Sequence, residues 1–401
     1  MTENPVIYDT VVIGGGPSGS TAACDLAKLG RRVVLLDRAG RIKPCGGAIP
    51  PRAIRDFAIP DHMLVAKINS ARMVSPSDVE VDMPIDGGFV GMVDREFFDE
   101  WLRSRAAESG AERRTGLFKR YERDESGVNT VYYDEHAPDG TIRENSVRTR
   151  SLIGADGAIS AVARQFLPGD DRVPYVFAYH EIIRAPQKSP AIKYDSRRCD
   201  VYYQGAVSPD FYGWVFPHGD TVSVGTGSMM KGFSLRDSVG ELRKATGLDE
   251  VETIRKEGAP IPLHPLPRWD DGHSVLLAGD AAGVVAPASG EGIYYAMLGG
   301  RLAAETVDEF LETADAKVLK LARKRFMRMN GSVFRILGLM QWYWYSNDKR
   351  REQFVNICRD HDVQKLTWDA YMNKKLVRAK PIAHVRIFFK NIAHMTGLAS
   401  V

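Results

Sequence analysis

The chain has 401 residues, 44% of them hydrophobic, and a net charge of +3. That is ordinary for a globular protein and long enough for two or three lobes around a sizeable core. No run of about 18 uninterrupted apolar residues occurs, so no membrane span is expected. Met1–Pro5 leads into a strand without the cationic start and apolar run of a secretory signal. The four cysteines, Cys24, Cys45, Cys199 and Cys358, lack metal-ligand spacing; no metal site is expected, and the pattern fits a reducing cytoplasm. The charge is unevenly divided: from Lys317 onward Lys and Arg number 18 against 5 Asp and Glu, and the rest of the chain carries 36 against 46. A basic tail on an acidic body is either a solvated helical face or a surface for an anionic partner such as a membrane or a diphosphate. No nucleic-acid partner is expected.

In chain order, Tyr8–Ile13 is a Val- and Ile-rich strand of the buried parallel kind. A helix over Pro17–Leu29 and a second strand, Arg32–Asp37, complete a βαβ unit. After Asp94, residues Phe97, Phe98, Trp101 and Leu102 recur at helical spacing. Glu112–Ile153 reads as antiparallel strands with turns at Glu125-Ser126-Gly127 and Pro138-Asp139-Gly140. Residues 172–265 form a second β-rich stretch with one helix near Leu235–Thr246; a strand, Ser274–Ala278, and a long helix, Gly292–Leu311, follow. Beyond them the pattern is helical to the end. Pro381–Met395 places Ile382, Val385, Phe388, Phe389 and Ile392 on one face and Arg386, Lys390 and His394 on another. Such a helix either lies on anionic lipid or docks on the body. The cluster Trp342-Tyr343-Trp344-Tyr345 is a second candidate for a membrane-facing or pigment-facing surface.

Gly14, Gly16 and Gly19 have GxGxxG spacing between the first strand and helix, with Ser18 at the helix start. The first glycine permits the turn, the second lets a pyrophosphate approach the backbone, and the third allows helix and strand to pack closely. Asp37, next to Arg38, ends the second strand where a carboxylate accepts both ribose hydroxyls. Leu276–Gly283, with Gly279 and Asp280, resembles the second FAD signature of the para-hydroxybenzoate hydroxylase superfamily, in which the aspartate contacts the ribityl chain. Gly154–Ser160, with Asp156 and Gly157, resembles that group's Asp-Gly motif, and Arg95 matches its arginine near the pyrophosphate. Pro287–Gly292 opens the long helix, so Gly290, Gly292 and Ile293 lie where a helix N-terminus faces the flavin ring. The resemblance implies FAD as cofactor. No second GxGxxG unit marks an NAD(P) lobe.

Tyr212, Trp214 and Phe216 alternate between Pro209 and Pro217, and on a strand they share one face. Alone, this wall reads as core. Beside the flavin motifs, it matches the PxxYxWxFP pattern of the geranylgeranyl reductases, and Pro44-Cys45-Gly46-Gly47 resembles that family's cysteine-glycine turn. Phe354–Val377 looks like its chlorophyll and bacteriochlorophyll branch. The resemblance implies reduction of a geranylgeranyl group to phytyl, on a pigment ester or on the free diphosphate, with NADPH or reduced ferredoxin as donor. It also implies an α/β fold: an FAD-binding Rossmann-like lobe (residues 1–75, 90–170 and 270–315) interleaved with an antiparallel-sheet substrate lobe (76–89 and 171–269), then a helical region (316–401). The site in the cytoplasm would be peripheral to a photosynthetic or cytoplasmic membrane.

The chemistry sets its own demand. An isolated trisubstituted alkene has no carbonyl to take up charge, so protonation must lead or accompany hydride delivery and the reacting carbon acquires cationic character. Aromatic faces within about 6 Å stabilise such a cation by roughly 0.5–2 kcal/mol each, which makes Tyr212 and Trp214 candidate catalytic as well as binding residues. Cys45 is a candidate proton donor or a small loop residue in equal measure; Cys24 reads as packing. Two rivals share the motifs: an FAD monooxygenase, which needs a compact polar site, and a prenyl-binding chaperone, which needs no redox apparatus.

Overall fold

The structure is a computed structural model that describes residues 6–38, 42–136, 140–167, 174–187 and 189–374. The first strand (Ile7–Ile13) lies between Val33–Asp37 and the end of a 13-residue strand, Ile142–Gly154, all parallel. Glu112–Thr115 adds to Val33–Asp37 in parallel, and Val275–Leu277 to Gly154's end of the long strand. The first half of that strand turns outward into an antiparallel meander with Asn129–His136 and Leu117–Arg123. This corrects the expectation of antiparallel pairing throughout Glu112–Ile153. The helix Arg95–Glu108 acts as a crossover that returns the chain parallel to its neighbour, and only the residues after it form hairpins. Asp94 caps that helix, accepting from the Glu96 N–H at 3.0 Å.

The second sheet runs in the order Thr253–Pro262, Tyr175–Arg184, Thr221–Ser228, Gly213–His218, Arg198–Tyr202, Ser70–Val74, Glu80–Pro84. All its neighbours are antiparallel except Arg198–Tyr202 with Ser70–Val74. The sheet therefore takes in residues from 70 rather than 76, because Ser70–Val74 is the strand that bridges the central part to Glu80–Pro84. Three short strands, Ala48–Ile49, Val90–Met92 and Ala66–Ile68, form a third, antiparallel sheet with Val90–Met92 in the middle.

Both faces of the second sheet are covered. Val215, Val222 and Val224 point to the helix Leu235–Thr246, which Ser234 caps and Gly247 ends at φ +73. The opposite face buries Phe211, Tyr212 and Trp214 with Tyr345, Val355 and Cys358 from the C-terminal helices Lys320–Trp344 and Asp348–Ile357. A further helix, His361–Asn373, brings Trp368 and Tyr371 against the short strands. Pro381–Met395 falls outside the described residues. No helix among the described residues is long and apolar enough to cross a membrane.

Candidate active site

A cavity of about 640 Å³ opens between the glycine turn, the ends of the parallel strands and one face of the second sheet. At its dinucleotide end Gly14 holds φ +102, and a Cβ there would lie 2.4 Å from the Ala155 carbonyl. A Cβ on Gly19 would lie 1.9 Å from the Gly14 carbonyl, so the helix Pro17–Lys28 can meet the strand only through glycine. A Cβ on Gly16 would meet nothing nearer than Arg95 at 3.9 Å, so its backbone is open to the cavity. Gly14, Gly16, Ser18, Asp37, Arg38 and Arg95 all border this space; Gly19 lies behind it, in the packing.

The charges here are paired in ways the sequence does not announce. Asp37 is held by Arg103 at 3.2 Å; burial raises its carboxyl above the usual range, against the pull of the Gly15 backbone and of Arg103. Arg95 is 6% exposed and forms a bidentate pair with Asp99, both bonds at 2.7 Å, while also approaching the Cys45 thiol. Asp280 is bonded by Lys43. The Asp156 carboxylate accepts from Ser160 Oγ and the Ala161 N–H, both at 2.6 Å, and burial raises its pKa. It holds the turn that Gly157 opens at φ +90. Asp156, Gly157, Asp280, Gly290, Gly292 and Ile293 border the cavity, whereas Gly279, at φ +65 against Ser18, is packing.

A dinucleotide fits these residues. Two helix N-termini, at Pro17 and Ile293, face one cavity, bare backbone lies between them, and Asp37 stands a strand's width away.

The opposite wall is the second sheet. The ring centroids run Tyr212–Trp214 at 6.1 Å and Trp214–Phe216 at 6.3 Å, so the three do share a face. Only Trp214 of the three borders the cavity, together with Ala178, His180, Pro260 and Ile261. Tyr212 is stacked on Phe211 at 4.2 Å, and its hydroxyl donates to the Ser289 carbonyl at 2.6 Å. Phe216 packs under Gly46, where a Cβ would lie 3.3 Å from its ring. The continuous three-ring wall expected from the alternation is thus a single cavity-lining indole supported on either side. Pro209 accepts from Arg351 through its carbonyl, Pro217 is buried in the strand, and Gly47, at φ +70, packs on His218; none of the three borders the cavity.

Cys45 and Gly46 border the cavity, and Cys45 Sγ accepts from the Gly47 N–H at 3.4 Å. Cys24, Cys199 and Cys358 are buried; loss of water pushes the Cys358 thiol up to about 12.

Sequence reading missed the contacts that hold the loop before Ile293. Tyr345 donates to the Ala288 carbonyl at 2.8 Å, Tyr212 to that of Ser289, and Lys374 to the Glu291 carboxylate. Lys374 and Glu291 are each 7% exposed, and the ammonium lies 4.0 Å from the centre of the Tyr371 ring. Burial lowers the lysine and raises the glutamate. In the cluster Trp342–Tyr345 the roles divide: Trp342 is 70% exposed and Tyr345 is buried.

A model of the FAD binding domain matches residues 7–174, and one of the lycopene cyclase protein matches residues 222–393. FAD is the dinucleotide to which the cradle corresponds. The chain is 58% identical to the geranylgeranyl diphosphate reductase of Rhodobacter capsulatus, over 98% of each chain. It is 37% identical to that of Synechocystis sp., over 97% of this chain and 98% of the relative. A geranylgeranyl bacteriochlorophyll reductase-like protein from Thermoplasma acidophilum superposes with a TM-score of 0.77 over 95% of this chain and 100% of that one. At 21% identity the last likeness shows the fold.

Proposed function

The chain belongs to the geranylgeranyl diphosphate reductase family, and on that footing we propose that it saturates isolated double bonds of a geranylgeranyl group, converting it to phytyl in chlorophyll or bacteriochlorophyll synthesis. The observation that carries this reading is the shared cavity: the glycine turn, Cys45 and the Trp214 indole all border it. FAD held by the glycine turn and Asp37 would, in its reduced form, supply the hydride for each double bond. Cys45 borders the same space and donates the proton that must accompany it. Trp214 offers its ring to the carbon that becomes cationic, and Ala178, Pro260 and Ile261 supply apolar surface worth about 25 cal/mol per Å² of prenyl chain buried.

Three finer points belong to the same proposal. The substrate is the geranylgeranyl ester of the pigment or the free diphosphate, and the electrons come from NADPH or reduced ferredoxin. The enzyme works in the cytoplasm at a membrane surface, through its basic C-terminal part; Ile336, Leu339 and Trp342, all exposed on one helix, support this. The test is anaerobic reduction of the yellow protein with each donor, followed by mass analysis of added geranylgeranyl pigment and geranylgeranyl diphosphate. Stepwise gains of two mass units on one of them are expected. Turnover that requires oxygen and adds 16 units would overturn the reading.

A further inference from the structure

Behind Trp214 runs a chain of hydrogen bonds that ends on a carboxylate. The indole Nε1–H donates to Ser223 Oγ at 3.0 Å. Ser223 Oγ lies 2.8 Å from His180 Nδ1, and His180 Nε2 lies 3.0 Å from Glu257 Oε2. Arg255 binds the other oxygen of Glu257 at 2.6 Å and stands within 3.9 Å of Asp94, the cap of the arginine helix. Trp214, Ser223 and His180 are all buried, at 6%, 0% and 3% exposure, and each is satisfied by its neighbours.

The donors in this chain point one way. In a neutral imidazole one nitrogen donates and the other accepts. Taken as neutral, His180 carries its proton on the nitrogen facing the Glu257 carboxylate; Nδ1 then accepts and the Ser223 hydroxyl donates to it. The serine oxygen is then left to accept from the indole. Glu257 is held ionised: burial works against it, but the bonds from His180 and Arg255 prevail and lower its carboxyl.

We propose that Glu257, His180 and Ser223 form an electron-donating relay that orients the Trp214 indole and enriches its ring for stabilising the cationic carbon of the reacting alkene. Each bond strengthens the next by polarisation, because a better acceptor at one link makes the following donor's own oxygen or nitrogen more electron-rich. The negative charge of Glu257 is thereby felt at the indole without entering the cavity. The same bonding satisfies the indole N–H, the Ser223 hydroxyl and both His180 nitrogens within the wall, so none of them needs a partner from the prenyl chain. The three are positioning residues, and the proposal rests on the reading that Trp214 faces the alkene.

The test uses the holoenzyme with geranylgeranyl diphosphate and compares Glu257→Gln, Trp214→Phe and the double variant. Glu257→Gln keeps an oxygen for His180 and removes the charge. The expected result is a kcat lower by about threefold to tenfold, with KM and bound FAD unchanged and the tryptophan emission shifted. In the Trp214→Phe background the same substitution should have no further effect. An unchanged kcat in Glu257→Gln, or losses that multiply in the double variant, would overturn the relay while leaving the wall intact. A Trp214→Phe enzyme with unchanged kcat and KM would instead remove the reading on which the relay stands. If Glu257→Gln lowers FAD content, Ser223→Ala breaks the chain at its middle link and must give the same kcat loss.

Discussion

At the dinucleotide end of the cavity the chain works through backbone. Gly14, Gly16 and Gly19 lie within six residues of one another, and what they achieve is the absence of side chains. At the prenyl end it works through side chains that meet from far apart in sequence. Trp214 depends on Ser223 and His180, Tyr212 on Ser289, and Glu291 on Lys374. The first kind of site tolerates no added atom at Gly14 or Gly19; the second kind tolerates exchange wherever a partner can be matched. Substitutions at the two ends should therefore fail in different ways.

The largest effect is expected at Gly19. Valine there drives a side chain into the Gly14 carbonyl, so Gly19→Val should purify colourless or insoluble; a yellow protein with normal flavin absorbance would contradict the packing argument. Next comes Lys374→Met, which strands Glu291 as a buried, unpaired carboxylate. It should cost about 3–5 kcal/mol in urea unfolding, and the double variant Glu291→Leu/Lys374→Met should recover most of that. Failure of the double variant to recover would show that the pair does more than neutralise itself.

How much of this was legible follows the same division. The glycine turn, Asp37, the βαβ unit and the α/β class could be read because their determinants are local. The alternation of Tyr212, Trp214 and Phe216 was visible, but not which ring reaches the cavity, since that depends on Phe211 and Gly46 packing against the outer two. His180 reads as an ordinary strand residue until Ser223 and Glu257 are placed beside it by antiparallel pairing. A lysine at a helix end reads as a solvated cation; Lys374 is buried only because its carboxylate, 83 residues upstream, is brought to it. The basic tail thus includes at least one charge that serves the interior.

Two smaller effects refine the comparison. Cys45→Ala should lower kcat by about 100-fold with FAD binding intact, and Cys45→Ser should retain much of the rate because a hydroxyl also relays protons. A fully active alanine variant would remove Cys45 as donor. The smallest effect concerns pH. Loss of water around the His218 ring, packed on Gly47, lowers its pKa below the ordinary 6.5, against the bond to the Phe216 carbonyl. A depressed folded value means that its stability contribution is complete above pH 6.5 and is lost as pH falls through the folded value. The urea midpoint should drop between pH 7 and pH 5, and His218→Gln should flatten that slope.

The most direct measurement on the whole account is a paired titration of Trp214→Ala, with FAD binding followed by flavin fluorescence and prenyl binding by geranylgeranyl diphosphate. FAD affinity should be unchanged and prenyl affinity weaker by about tenfold or more. Equal loss of both, or loss of neither, would contradict a cavity with a backbone-built dinucleotide end and a prenyl wall centred on this one indole.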